Sequence, residues 1–228
     1  MRLPTTHRRD VTEETFAAVL LDSDSTLVDS GAAVERSWAG WARRYRVPVE
    51  RLGDTHGMPS RRSIARIDRE LGLGLDLDAA GATFDALELD DLEGVVALPG
   101  ALEALEVLGA RGAVVTSAGR ELAGARLRAA GLPTPTVLVS ADDVALGKPD
   151  PGPYLEGAAR LGVDAARCLV VEDSVAGVRS GRDAGAATLA LLTTTPADRL
   201  GEADLVVPDL SAVRFTVGAG GVRVSLRR

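Results

Sequence analysis

The chain has 228 residues, 46% of them hydrophobic and 26% charged, with a formal net charge of −7. This length suits one α/β core with an insertion, and the acidic balance argues against a nucleic-acid surface, which needs clustered cations. The lone cysteine, Cys168, allows no internal disulfide, and no apolar run approaches the ~18 residues of a membrane span. Residues 1–15 lack the apolar segment of a signal peptide, so a cytoplasmic protein without membrane or nucleic-acid partners is expected. A monomer is the simplest expectation, with a dimer left open.

In chain order, residues 16–21 (Phe-Ala-Ala-Val-Leu-Leu) read as a strand buried on both faces that runs straight into Asp22, Ser23 and Asp24. Two carboxylates at the mouth of a buried strand are costly unless a cation or a proton transfer needs them. The structural alternative is an Asp-rich turn in which Asp29 or Ser30 caps the next helix. Residues 31–95 read as helical. Val34, Trp38, Trp41 and Tyr45 share one face of a first helix, residues 61–71 form a second and residues 79–92 an acidic third. The two tryptophans are assigned to the core of this unit rather than to a ligand platform.

Strand and helix then alternate. Strands are predicted at 113–116, 136–139, 168–171, 188–192 and, briefly, 204–207, with helices at 101–108, 120–130, 153–161 and 176–184. Gly131, Gly162 and Gly185 follow three of these helices, where a left-handed stop belongs. The pattern spells an α/β fold, a doubly wound parallel sheet with an all-helical insertion after the first strand, over the carboxyl edge of the sheet. The predicted organisation is a core of residues 16–30 and 96–212, a specificity cap at 31–95, and terminal extensions at 1–15 and 213–228. The last of these alternates like a small hairpin edged by arginines.

What ends each strand carries the chemistry. The first ends in Asp22 and Asp24, the second in Thr116-Ser117-Ala118-Gly119, and Gly147-Lys148-Pro149 follows the third. The fourth closes with Glu172-Asp173-Ser174. Together these are the parts of a phosphate site with a magnesium ion. Asp22, Asp24 and Asp173 are hard oxygen ligands suited to Mg²⁺. The hydroxyls of Thr116 and Ser117, with the backbone N–H groups around Ala118 that open the next helix, would take phosphate oxygens, and Lys148 would neutralise charge. Singly, each has a structural alternative: Lys148 as a surface lysine, Thr116 or Glu172-Asp173 as helix caps.

In these four stretches (residues 21–30, 115–120, 147–151 and 171–177) the chain resembles a haloacid dehalogenase superfamily phosphatase with an inserted helical cap. Thr116-Ser117, Arg120, the Gly-Lys-Pro-Asp-Pro turn and His56-Gly57 resemble the sugar- and polyol-phosphate phosphatases of the β-phosphoglucomutase-like group. The resemblance implies Asp22 as nucleophile, forming an aspartyl-phosphate, and Asp24 as general acid and then base. It further implies that Asp24 binds Mg²⁺ through its backbone carbonyl and that Glu172 orients a metal-bound water beside Asp173. His56, Arg61 and Arg120 are candidate substrate contacts, each equally readable as an ordinary loop or surface residue. The family usually has Gly where this chain has Ser25, and a left-handed backbone there would cost ~1 kcal/mol. Ser23 stands where the family usually has an apolar residue.

The expected activity is therefore Mg²⁺-dependent hydrolysis of a small phosphorylated metabolite, a sugar or polyol phosphate. A phosphomutase of the β-phosphoglucomutase kind is the alternative enzyme. A catalytically silent phosphometabolite-binding module, motivated by Ser25, is the alternative outside enzymes. A phosphonatase of this type would use a cap lysine, and residues 31–95 contain none.

Overall fold

The computed structural model of the chain describes residues 8–53 and 60–227. In chain order it runs β1 (Thr15–Phe16), β2 (Ala18–Leu21), β3 (Val28–Asp29), α1 (Gly31–Tyr45), α2 (Ser60–Leu71), α3 (Leu77–Asp90), β4 (Val96–Ala97), α4 (Ala101–Leu108) and β5 (Gly112–Val115). It continues α5 (Arg120–Ala129), β6 (Val137–Val139), α6 (Gly152–Arg160), β7 (Cys168–Glu172), α7 (Val175–Asp183), β8 (Ala187–Leu191), β9 (Leu205–Val207), β10 (Val213–Gly218) and β11 (Gly221–Leu226).

The apolar runs form one six-stranded parallel sheet in the order β6-β5-β2-β7-β8-β9. The first strand thus lies inside the sheet, with Leu21 level with Val114 of β5 on one side and Val171 of β7 on the other. From β2 the chain builds outward through β5 and β6, then crosses back to build β7, β8 and β9. The carboxyl end of β2 is therefore the switch point, where open α/β sheets bind ligands. Val19 and Leu21 pack into one apolar cluster and Ala18 and Leu20 into the other, so β2 is buried on both faces. Each such fully buried leucine contributes about 1.5–3 kcal/mol. Gly131, Gly162 and Gly185 all have positive φ, as expected of helix stops.

Helices α1, α2 and α3 have their own core. Trp38, Trp41, Ile64, Ile67 and Phe84 are buried together, and Trp41 Nε1 donates to the Ala80 carbonyl at 2.9 Å. Both tryptophans are therefore packing residues. Helix α3 starts at Leu77 rather than 79 because the Asp76 carboxylate caps it, accepting from the N–H groups of Asp78 and Ala79. The chain enters and leaves this helical unit through the antiparallel pair β3–β4, Val28 opposite Ala97. That pair is invisible to periodicity because its strands have two residues each.

The alternating tail forms the hairpin β10–β11, and β11 also pairs with β1, Phe16 opposite Val222. Phe215, Val222 and Val224 join the main apolar cluster, so this tail is packed against the core. Cys168 is buried in β7, and burial pushes its thiol up to about 11, an unreactive small apolar side chain. No helix among the described residues is long and apolar enough to cross a membrane.

Candidate active site

Because β5, β2 and β7 are neighbours in register, Thr116, Asp22 and the pair Glu172-Asp173 emerge side by side. The N–H of Asp22 still donates to Val171 at 2.9 Å, and that of Thr116 to Val139 at 2.9 Å, so both residues leave the sheet at fixed points. Beyond Asp22 the chain turns sharply. The Ser23 carbonyl accepts from the N–H groups of Leu27 at 2.8 Å and Val28 at 3.0 Å, and Ser25 adopts φ 64°. The left-handed conformation anticipated for Ser25 is real, and the Thr193 hydroxyl donates to the Ser25 carbonyl at 2.5 Å.

Lys148 arrives from the loop before α6 and is buried. Its Nζ donates to Asp22 Oδ1 at 2.5 Å, Glu172 Oε1 at 2.6 Å and the Val115 carbonyl at 3.0 Å, which uses all three of its protons. Glu172, 1% exposed, is equally saturated. Oε1 also accepts from the Tyr154 hydroxyl at 2.8 Å, and Oε2 accepts from the N–H groups of Asp173 and Ser174 and from the Ser174 hydroxyl. Glu172 thus fixes Lys148 and the β7–α7 loop. The Thr194 hydroxyl donates to Asp173 Oδ2.

The charges are unbalanced. Carboxylate oxygens of Asp22, Glu172 and Asp173 lie within 4.8 Å of one another, and all three residues are buried. Burial, aided by Glu172 and Asp173, pushes the Asp22 carboxyl well above its ordinary range. Burial and Glu172 push Asp173 up to about 7. Burial would raise Glu172 too, but Lys148 outweighs it and holds the group below its ordinary value. Burial disfavours the Lys148 ammonium, yet Asp22 and Glu172 raise it and keep it charged. Were all three carboxylates ionised, one ammonium would leave two negative charges unbalanced among buried groups. The raised Asp22 and Asp173 carboxyls hold protons instead, and a divalent hard cation is the partner suited to replace those protons. Asp22, Glu172 and Asp173 each have a carboxylate oxygen close enough to the others to share one ion.

Asp24 lies nearer the surface. Its Oδ1 accepts from the Ser30 hydroxyl at 2.6 Å and from Arg126 Nη1 at 3.0 Å. Ser30 is therefore at the N-terminus of α1 without capping it, while Asp29 accepts from the Gly31 N–H at 3.2 Å in a local structural role. Thr116 is buried and its Oγ1 accepts from the Ala118 N–H at 3.1 Å, leaving its own proton to donate; Ser117 is exposed and Ala118 half-buried.

Two candidates do not join this cluster. Arg120 is exposed and bonds Asp143 at 2.6 Å, because its N–H and side chain are both claimed by the 142–143 turn. Arg61 pairs across the helical unit with Asp85 at 3.0 Å and is 55% exposed. His56 lies outside the described residues. Conversely, Tyr154, Arg126, Glu88 and Thr194 are site residues that the sequence reading missed. For Arg126 there was a signal, since it stands four residues after Leu122 on the apolar face of α5, a position where an arginine needs a reason.

The sequence profile of the haloacid dehalogenase-like hydrolases matches residues 16–185. The chain is 41% identical over 209 residues to hexitol phosphatase A of Escherichia coli, covering 89% of this chain and 95% of that protein. It is 35% identical over 208 residues to validoxylamine A 7'-phosphate phosphatase of Streptomyces hygroscopicus subsp. limoneus, covering 88% and 97%. Among solved structures, a hydrolase from Pseudomonas syringae superposes with a TM-score of 0.74 at 26% identity, over 85% of this chain and 94% of that one. With the profile spanning most of the core and relatives of this identity matching nearly end to end, the chain belongs to the haloacid dehalogenase-like hydrolases.

Proposed function

We propose that the chain is a Mg²⁺-dependent phosphomonoesterase acting on a sugar or polyol phosphate through an aspartyl-phosphate on Asp22. The observation that carries this reading is the convergence of Asp22, Lys148, Glu172 and Asp173 at the carboxyl ends of β2 and β7, with excess negative charge for a cation to balance. The names of the two relatives, a hexitol phosphatase and a validoxylamine A 7'-phosphate phosphatase, support the substrate class.

In this reading Lys148 holds Oδ1 of Asp22, so Oδ2 attacks phosphorus while the ester P–O bond breaks. Asp24 delivers a proton to the departing alcohol oxygen, then removes one from the water that attacks the acyl phosphate and frees inorganic phosphate. Thr116, Ser117 and the N–H groups that open α5 receive the non-bridging oxygens. Asp22, the Asp24 carbonyl and Asp173 would hold Mg²⁺, which when bound offsets phosphate charge and makes phosphorus more electrophilic. The helical unit α1–α3 acts as the cap that selects the alcohol.

The test is phosphate release from a panel of hexitol and hexose phosphates, with Mg²⁺ and again with EDTA. Hydrolysis that needs Mg²⁺ and is lost in Asp22→Asn is expected. Metal-independent hydrolysis, full activity in that variant, or isomerisation of a sugar phosphate without phosphate release would overturn the reading.

A further inference from the structure

Arg126 has no role in the scheme above, yet it is among the most deeply buried charges of the chain, its side chain 5% exposed. It belongs to α5 in the α/β core and bonds two carboxylates on different parts of the molecule. Nη1 reaches Asp24 Oδ1 at 3.0 Å, and Nη2 reaches Glu88 Oε1 at 2.8 Å in the last turns of α3, in the helical unit. Glu88 is half-buried, its side chain 11% exposed, one turn beyond Phe84 on α3.

Burying a guanidinium is unfavourable unless its bonds are good. Apolar residues in place of a whole ion triad of this kind are often as stable, whereas removing the arginine alone would strand Asp24 and Glu88 without their cation. The geometry is also not that of the most stable arginine pair. A two-pronged bond to a single carboxylate would use Nε and one Nη, whereas here Nε has no partner among the described residues and the two Nη groups diverge. Arg126 gives up that arrangement in order to touch the core and the helical unit at once.

The effect falls on one oxygen of Asp24. Both Ser30 Oγ and Arg126 Nη1 donate to Oδ1, and neither touches Oδ2. The carboxylate is gripped from one side, with its other oxygen left to exchange a proton. The Ser30 bond is local, six residues along the same loop. The Arg126 bond is tied through Glu88 to the position of α3.

We propose that Arg126 is a positioning residue that sets the Asp24 carboxylate and, through Glu88, makes that setting depend on α3 being docked against α5. It does not touch the reacting atoms; it aims the group that does. The inference rests on the phosphomonoesterase reading, in which Asp24 protonates the leaving oxygen as the ester P–O bond breaks. Its substance is that one arginine of α5, held by Glu88 of α3, aims the Asp24 carboxylate.

Leaving groups separate this role from a structural one. An alkoxide leaving from a hexitol phosphate needs its proton, whereas p-nitrophenolate is stable enough to leave without one. The experiment measures kcat/KM, which covers events up to P–O cleavage, for a hexitol phosphate and for p-nitrophenyl phosphate. It compares the unaltered chain with Arg126→Met, Arg126→Lys and Glu88→Gln. Arg126→Met is expected to lower kcat/KM for the alkyl ester about 100-fold and for the aryl ester less than about tenfold, following the usual worth of general-acid catalysis. Arg126→Lys, a single point of charge, should recover part of the alkyl activity, and Glu88→Gln should shift the alkyl-to-aryl ratio in the same direction by a smaller factor. Equal losses on the two esters, or no loss, in Arg126→Met would overturn the positioning role. Should that variant fail to fold, the near-isosteric Glu88→Gln decides: a changed ratio supports the link and an unchanged ratio overturns it. If the unaltered chain hydrolyses neither ester, the phosphomonoesterase reading itself fails, and the positioning role with it.

Discussion

A single methyl group at Gly177 should dismantle the site from behind. Gly177 lies in the first turn of α7, and a Cβ built on it would sit 1.7 Å from Glu172 Oε1 and 1.8 Å from its Cδ. The Glu172 carboxylate therefore occupies the space an alanine side chain needs, and Gly177→Ala must displace it. Displacement breaks the 2.6 Å pair with Lys148 and the 2.8 Å bond from Tyr154, and it frees the N–H groups of Asp173 and Ser174. Breaking a buried ion pair costs about 3–5 kcal/mol. Replacing Gly by Ala in a helix returns about 1 kcal/mol. The net loss is about 2–4 kcal/mol, which in a chain of this size lowers Tm by roughly 4–16 °C. Activity should fall about 100-fold, because Lys148 and the Asp173 loop lose their anchor. Thermal unfolding and phosphate release are the assays, with Gly124→Ala as control. In α5 a Cβ at Gly124 meets only the end of the Arg128 side chain, at 3.2 Å, so that variant should be neutral or stabilised by about 1 kcal/mol. Should Gly177→Ala prove as stable and active as Gly124→Ala, the anchoring role of Glu172 would be refuted.

Lys148→Met leaves Asp22 and Glu172 buried without their ammonium, so urea denaturation should register a loss of about 3–5 kcal/mol, and turnover should disappear. Ser25→Gly removes a left-handed serine at φ 64°, a strain of about 1–2 kcal/mol, against a Gly backbone-entropy cost of about 0.5–1 kcal/mol. A gain of up to about 1 kcal/mol is expected by the same denaturation, and a clear loss would mean the Ser25 side chain does more than tolerate the turn. In EDTA, stability should decline as pH rises from about 4 to about 7. The folded Asp173 keeps a proton up to about 7, whereas the unfolded chain releases it near its ordinary 3.8, so the unfolded state binds fewer protons across that window. Mg²⁺ takes the proton's place and should flatten the decline; Tm curves in EDTA and in Mg²⁺ that share one pH slope would contradict this.

Local chemistry made the fold and half of the site legible. Short apolar runs with polar ends fall below the length of a buried helix and fit strands buried on both faces. Their alternation with helices points to a parallel sheet whose carboxyl edge collects Asp22, Thr116, Lys148, Glu172 and Asp173. The Trp38 and Trp41 periodicity likewise predicts the helical core they form. Ser25 could be flagged only through the resemblance to a family that usually has Gly there, and the structure then showed the left-handed backbone at φ 64°.

Other features depend on which surfaces meet, and no local pattern encodes that. Nothing local to Glu172 reveals that Lys148, Tyr154 and the loop N–H groups converge on its two oxygens. Arg120, at the mouth of α5, is held by Asp143, while Arg126, two turns on, lies buried between Asp24 and Glu88. Both are arginines of one helix, and only the packing of α3 against α5 decides which one reaches the acid/base group. Residue patterns along the chain dictate the sheet, the polar ends of its strands and the identity of the carboxylates. Tertiary structure decided which cations those carboxylates hold, because a charge is recruited by the neighbour that excludes water from it, and that neighbour is distant in the chain.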